Sequence, residues 1–213
     1  PKDTVIYEGE KEGGSIQKIV CFGNHMYFRE NYMIDNQLQT ECIHFSIEKN
    51  EISALEENLS VRTFYQNHMC GQYNQLTEAF NDEENRKIWM FDLDGKNKKE
   101  LFTLDSNFLF STDGDRLYEY KPQHMLEGEN DVISIRQLDH RGKQIGEVDC
   151  SSIQDRLLSF VPGGDEQMFL FFVNKETGSR SLYTVDKIQL EETGSAEPHL
   201  CMELESYQTA ITY

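Results

Sequence analysis

"KIWMFDLDGKNKKELFTL", residues 87–104, holds two short apolar segments separated by a polar turn. Ile88, Trp89, Met90 and Phe91 form an aromatic and aliphatic run of the kind that fills a half-buried or fully buried strand. Asp94-Gly95 follows at once, and this dipeptide supplies the positive φ angles that tight hairpin turns require. Lys96 to Lys99 carry the chain across the turn, and Leu101, Phe102 and Leu104 resume a strand. The stretch predicts a β-hairpin with Gly95 at positive φ. Trp89, the only tryptophan, stands mid-strand and is expected to pack between neighbouring sheets.

Related signals recur along the chain. An aliphatic residue followed by an acid occurs at Ile47-Glu48, Leu93-Asp94, Leu138-Asp139 and Val185-Asp186, in steps of 46, 45 and 47 residues. Each pair closes a strand-like run: "CIHFSI", "KIWMFDL", "DVISIRQL" and "RSLYTV". Upstream of each, turn residues precede an apolar segment, in "FGNHMYF", "YQNHMCG", "TDGDRLYEY" and "GGDEQMFLFF". Two markers in fixed order with a period near 45 residues are the mark of four-stranded propeller blades. Helical repeats of similar length need apolar residues at helical spacing, and only "TEAFNDEENRKI" and "SSIQDRLLSF" offer weak candidates.

The expected fold class is therefore all-β, a β-propeller or a large part of one. Residues 1–213 would form one propeller-like domain with repeats at about 17–60, 61–105, 106–153 and 154–204, and partial blade strands at 1–16 and 205–213. The leftover segments "DTVIYEGE" and "SYQTAITY" read as a d strand and an a strand of one blade, which suggests part of a larger ring. The fourth repeat is expected to place its d strand within 188–204.

The hairpin at 87–104 resembles those of bacterial propellers in the YWTD and TolB-like group, and is especially similar to uncharacterised propeller domains from Firmicutes. Leu138-Asp139-His140-Arg141-Gly142 is a looser second match. No repeat contains the YWTD tetrapeptide, a WD40 Gly-His and Trp-Asp pair, or the kelch pattern. The resemblance implies a binding or scaffolding domain.

Composition narrows the partners. The formal net charge is −18, with 38 acids against 20 Lys and Arg. Nucleic acid binding needs a basic stripe to displace counterions, and none is present. Anionic membrane surfaces are disfavoured in the same way, and no apolar run is long enough for a spanning helix. Basic, cationic or neutral partners fit, either a protein or a carbohydrate. The mean hydropathy of −0.64 is polar, but 13 Phe and 10 Tyr suffice to fill the spaces between packed sheets.

The cysteines at 21, 42, 70, 150 and 201 form no close pair, so zinc and thioredoxin-type motifs are absent and no cofactor is implied. Cys21, Cys42 and Cys70 lie on strand-like segments, where a small buried thiol is the ordinary arrangement. His25 and His68 stand in identical "NHM" triplets one repeat apart, but no third ligand repeats with them, so no metal site is assigned. His44, His124, His140 and His199 show no spacing relation to carboxylates or cysteines. The nucleophile elbow, P-loop, dinucleotide and HExxH motifs are all missing, so no catalytic residue is assigned.

In four-stranded blades the b–c connections share one face. Here they are long and acidic: "QYNQLTEAFNDEENRK" with Glu78, Asp82, Glu83 and Glu84, and "KPQHMLEGEND" with Glu127, Glu129 and Asp131. "RENYMIDNQLQTE", with Glu30, Asp35 and Glu41, reads as a third. Long loops on a rigid scaffold are where binding residues concentrate. The expectation is a non-enzymatic binding or scaffold module that presents these loops. The alternative is a carbohydrate-active hydrolase with carboxylates lining a propeller channel.

Overall fold

The computed structural model describes residues 7, 14–73, 83–106, 108–121, 133–174 and 176–204. Among these, strands dominate, arranged in four antiparallel sheets that follow one another along the chain. The first sheet holds β1 (Ser15–Phe22), β2 (His25–Ile34), β3 (Gln37–Ser46) and β4 (Glu51–Ala54), in that spatial order. The second holds β5 (Leu59–Tyr65), β6 (His68–Tyr73), β7 (Lys87–Phe91) and β8 (Lys99–Thr103), with a helical turn α1 (Glu83–Arg86) before β7. The third runs β9 (Leu109–Thr112), β10 (Leu117–Tyr120), β11 (Ser134–Leu138) and β12 (Gln144–Asp149). The fourth begins with β13 (Arg156–Val161), β14 (Gln167–Val173) and β15 (Arg180–Asp186). The segment 151–160, a weak helix candidate in the sequence, contributes β13 instead. Of the candidate end strands at 4–9 and 206–213, all but Tyr7 lie outside the described residues.

The opening hairpin forms as its turn chemistry dictates. Gly95 sits at φ +82, its N–H donates to the Asp92 carbonyl at 2.9 Å, and Asp92 N–H donates to the Lys96 carbonyl at 2.9 Å. The β11–β12 turn repeats the pattern: Gly142 at φ +77 donates to Asp139, and Asp139 donates to Lys143. The structural equivalents are thus Asp92 and Asp139, two positions off an alignment of Leu93-Asp94 with Leu138-Asp139. The shared motif is Asp-x-x-Gly-Lys, at 92–96 and 139–143.

The fourth sheet departs from simple repetition. The d strand expected within 188–204 falls late in that range: α2 (Lys187–Thr193) comes first, then β16 (Ser195–Ala196), parallel to β12 of the third sheet. Only then does β17 (His199–Leu204) pair with β15 as the fourth strand. Asp186 is an N-cap here, its Oδ1 accepting from the N–H groups of Ile188 and Gln189 at 2.8 and 3.0 Å. Gly194, at φ +75, closes the helix by donating to Leu190. Leu190 packs so closely over Gly146 of β12 that a Cβ there would approach it to 2.9 Å.

The chain divides into two compact units, Pro1–Thr103 and Leu104–Tyr213, each with its own core. In the first, Tyr27 and Cys42 of the first sheet pack against Leu59, Val61, Met69 and Phe91 of the second. Trp89 packs against this cluster but is only half-buried, while Ile88 and Phe91 of the same strand are fully buried. In the second unit, Tyr118, Ile135 and Val148 of the third sheet meet Leu170, Phe172 and Val185 of the fourth. The strand β14 shows the alternation directly: Met168, Leu170 and Phe172 are buried, while Phe169, Phe171 and Val173 are not.

A buried ion pair crosses the second seam. Lys187, fully buried, donates to Asp113 in the β9–β10 turn and to the Gly164 carbonyl. Burial pushes the Asp113 carboxyl up, but the Lys187 hydrogen bond and the N–H groups of Arg116 and Asp115 outweigh it, and the net shift is downward.

Candidate functional site

Of the acidic residues singled out in the sequence, Glu78, Asp82, Glu127, Glu129 and Asp131 lie outside the described residues. Glu83 and Glu84 open α1, where Glu84 accepts a hydrogen bond from Lys87. The third supposed loop, 29–41, is not a loop. The strands β2 and β3 pair in an unbroken register from His25↔Ser46 to Ile34↔Gln37, and Glu30 lies opposite Glu41. The whole connection is the two-residue turn Asp35-Asn36, at φ +51 and +62. Asp and Asn tolerate this left-handed region, so two such residues in succession make a tight hairpin turn. Glu30 is buried and accepts from the Tyr7 hydroxyl at 2.7 Å.

Among the described residues, a cavity lies at the opposite end of the strands. A cleft of about 720 Å³ opens between the first two sheets, where the β3–β4 turn and the β7–β8 turn face each other. His25, His44 and Lys49 line one side, and Asp94, Gly95 and Lys96 line the other. The register explains the histidines. Tyr27 pairs with His44 and His25 with Ser46, so His25 and His44 are diagonal neighbours on one face. Their rings lie 14° apart, with His25 Nδ1 and His44 Nε2 at 2.8 Å sharing one proton between them. His44 Nδ1 reaches Ser53 Oγ at 3.3 Å, and Tyr27 stacks on His44 with ring centroids 5.0 Å apart. Burial first, and the neighbouring His25 second, hold the His44 pKa below its ordinary 6.5, so the ring is neutral near pH 7.

His68, the equivalent of His25 in the second sheet, has no histidine diagonal to it. Its Nδ1 bonds the Gln66 carbonyl at 2.8 Å and its Nε2 is 3.8 Å from Asp92. The two "NHM" histidines are therefore in different surroundings, and among the described residues no group of three His, Cys, Asp or Glu gathers to hold a metal ion. Cys42 and Cys70 are buried, which raises their thiols to about 11 and about 12. Cys21, expected to be buried, is exposed on β1 because β1 is an edge strand. Among the described carboxylates, Asp105 and Glu119 approach each other through Arg136, which donates to both at 2.7 and 3.2 Å. Burial, then Asp105, raises the Glu119 pKa. Both acids are tied to one guanidinium, as in a structural ion-pair network.

No protein-family model matches the chain, and no curated protein matches it. Solved structures do. The β-propeller domain of the Trilobed protease from Pyrococcus furiosus, reported to have an open velcro topology, is 11% identical with a TM-score of 0.54, over 91% of this chain and 57% of that one. This likeness shows the fold: the four successive sheets are blades of the β-propeller class. The N-terminal domain of Nup159 is 10% identical at a TM-score of 0.48, covering 87% of this chain and 47% of that one. A chain in the S. cerevisiae assembly of Dbp5 with Nup159, Gle1, IP6 and ADP is 11% identical at 0.47, with coverages of 87% and 47%. The chain spans about half the length of the solved structures it matches. Among the described residues no helix is long and apolar enough to cross a membrane.

Proposed function

We propose that this protein is a binding module, not an enzyme, and that it receives a basic protein segment in the cleft between its first two blades. The observation that carries this is the cleft itself, about 720 Å³ of open space walled by turns of two sheets and lined by both apolar residues, such as Ile52 and Leu55, and the acids Glu51, Glu56 and Asp94. Both nitrogens of His44 are engaged, by His25 and Ser53, which suits a wall that positions a ligand better than one that moves protons. The net charge of −18 gives a field that draws cationic partners and repels nucleic acid. The acids Glu78, Asp82, Glu83 and Glu84 of the first unit, and Glu127, Glu129 and Asp131 of the second, add to that charge and are proposed as further contacts.

Titration with tetralysine amide, followed through the imidazole NMR signals of His25 and His44, tests the reading. Saturable shifts of both signals are expected. Binding that leaves both signals in place overturns the assignment of the cleft.

A further inference from the structure

Four side chains meet beside the edge strand β8. Tyr73 ends β6, Trp89 stands mid-β7, Lys98 immediately precedes β8, and Glu56 follows β4. The two aromatic rings lie edge to face, with centroids 6.2 Å apart and planes at 78°. The Lys98 ammonium sits over both, 4.3 Å from the Tyr73 centroid and 4.5 Å from that of Trp89. Glu56 completes the enclosure: its Oε2 accepts from Lys98 Nζ at 3.1 Å and from the Tyr73 hydroxyl. One cation thus faces two π systems and a carboxylate, the set of groups that recognises quaternary ammonium ions.

The occupant is not locked in. The Lys98 side chain is 36% exposed and that of Glu56 47%. Lys98 belongs to the turn, after Asn97 at φ +53, so it can leave by rotating its own side chain without disturbing a strand. A primary ammonium is also a poor long-term tenant. It is compact and strongly hydrated, whereas a trimethylammonium group loses little hydration on entering an aromatic enclosure and meets both ring faces with its methyl groups.

We propose that Tyr73, Trp89 and Glu56 form a binding box for a trimethylammonium group, and that Lys98 is its resident, displaceable occupant. The ligand is a choline-type molecule or a trimethylated lysine, which share this chemistry. The box shares Glu56 with the lining of the cleft, but its aromatic walls and its readout are its own, so its failure and that of the cleft are told apart. That readout is Trp89, the single tryptophan of the chain.

The test titrates the wild-type protein, Lys98→Ala and Lys98→Gln with choline, with N-acetyl-trimethyllysine amide, and with 3,3-dimethylbutan-1-ol, the uncharged analogue of choline. Saturable changes of Trp89 emission are expected with both charged ligands and none with the alcohol. Removing Lys98 should tighten binding about tenfold, the combined effect of freeing two ring faces and a carboxylate. Adding Tyr73→Ala to Lys98→Ala should undo the gain. Tighter binding of the lysine derivative would assign a modified protein partner, and tighter binding of choline a small molecule or lipid headgroup. Lys98→Ala and Lys98→Gln proteins that melt like the wild type yet give no saturable change, or that respond equally to the alcohol, would overturn the proposal.

Discussion

The two units solve the same geometric problem in opposite ways. In the first, the β3–β4 turn of one sheet faces the β7–β8 turn of the next; in the second, the β9–β10 turn of one sheet meets the end of the third strand, β15, of the next. In the second unit Lys187, just past β15, reaches across to Asp113 in the β9–β10 turn, and the pair is buried. In the first unit Leu93 stands at the position of Lys187, and the turn lysine Lys96 bonds Asp94 within its own turn at 2.8 Å. The first seam is bridged instead by the Tyr27 hydroxyl, which donates to the Leu93 carbonyl at 2.6 Å, and by the exposed pair of Lys98 with Glu56 at 3.1 Å, and the cleft with His25 and His44 stays open between the turns. The difference comes from the turn. A tight Asp-x-x-Gly-Lys turn folds its lysine back on itself, whereas the start of α2 directs Lys187 inward. An open site therefore needs no special scaffold, only a turn whose charges are satisfied locally.

The largest expected effect breaks the closed seam. Asp113→Ala leaves Lys187 buried without its counter-charge and should cost about 3–5 kcal/mol in thermal unfolding. Replacing the pair together, Asp113→Leu with Lys187→Met, should recover part of that loss, because no lone charge stays buried although the N–H groups of Arg116 and Asp115 lose their acceptor. A loss below about 1 kcal/mol for the single change would show that the ion pair does not hold the seam.

Next comes Gly95→Val, at the lip of the open seam. The residue is at φ +82, and a Cβ there would come within 2.5 Å of Leu55 Cδ2. Strain of this kind costs about 1–3 kcal/mol, read as a lowered melting temperature. An unchanged melt would contradict the turn geometry.

A subtler contrast is pH. His44 is held neutral in the folded state, so the unfolded chain takes up the proton first. The stability it contributes is complete above its ordinary 6.5 and is lost as pH falls through that value toward the lower folded one. The wild type should therefore lose more stability than His44→Gln between pH 7 and 5, measured by urea unfolding. Parallel curves would remove His44 as the source. The smallest effect belongs to Lys96→Ala: its pair with Asp94 is exposed, and the change in stability should stay below about 1 kcal/mol.

Much of this architecture is legible in the sequence because turns are local. Asp94-Gly95 prescribes its hairpin, and the period near 45 residues follows from repeating strands and turns. The His25–His44 pair was legible too. With Asp35-Asn36 taken as a two-residue turn, positions whose numbers sum to 71 face each other, which pairs Tyr27 with His44 and sets His25 diagonal to it. Taking 29–41 for a loop hid that relation. The motif Asp-x-x-Gly-Lys was equally visible at 92–96 and 139–143.

Other features depend on how faces stack. Asp113 and Lys187 are 74 positions apart, and Glu56 and Lys98 are 42 apart. No period or turn signal links them, since they meet only when one sheet lies against another. Val185-Asp186 looks like the end of a strand before a turn in the sequence, yet Asp186 caps α2, and the room for that helix comes from Gly146 on a different sheet. The sequence by itself determined the strands, their hairpin registers and the repeat, because each rests on backbone preferences within a few residues. The tertiary structure alone decided which seam closes, which stays open and which aromatic pair encloses a cation, because those outcomes rest on contacts between side chains that the chain brings together only after its sheets have formed.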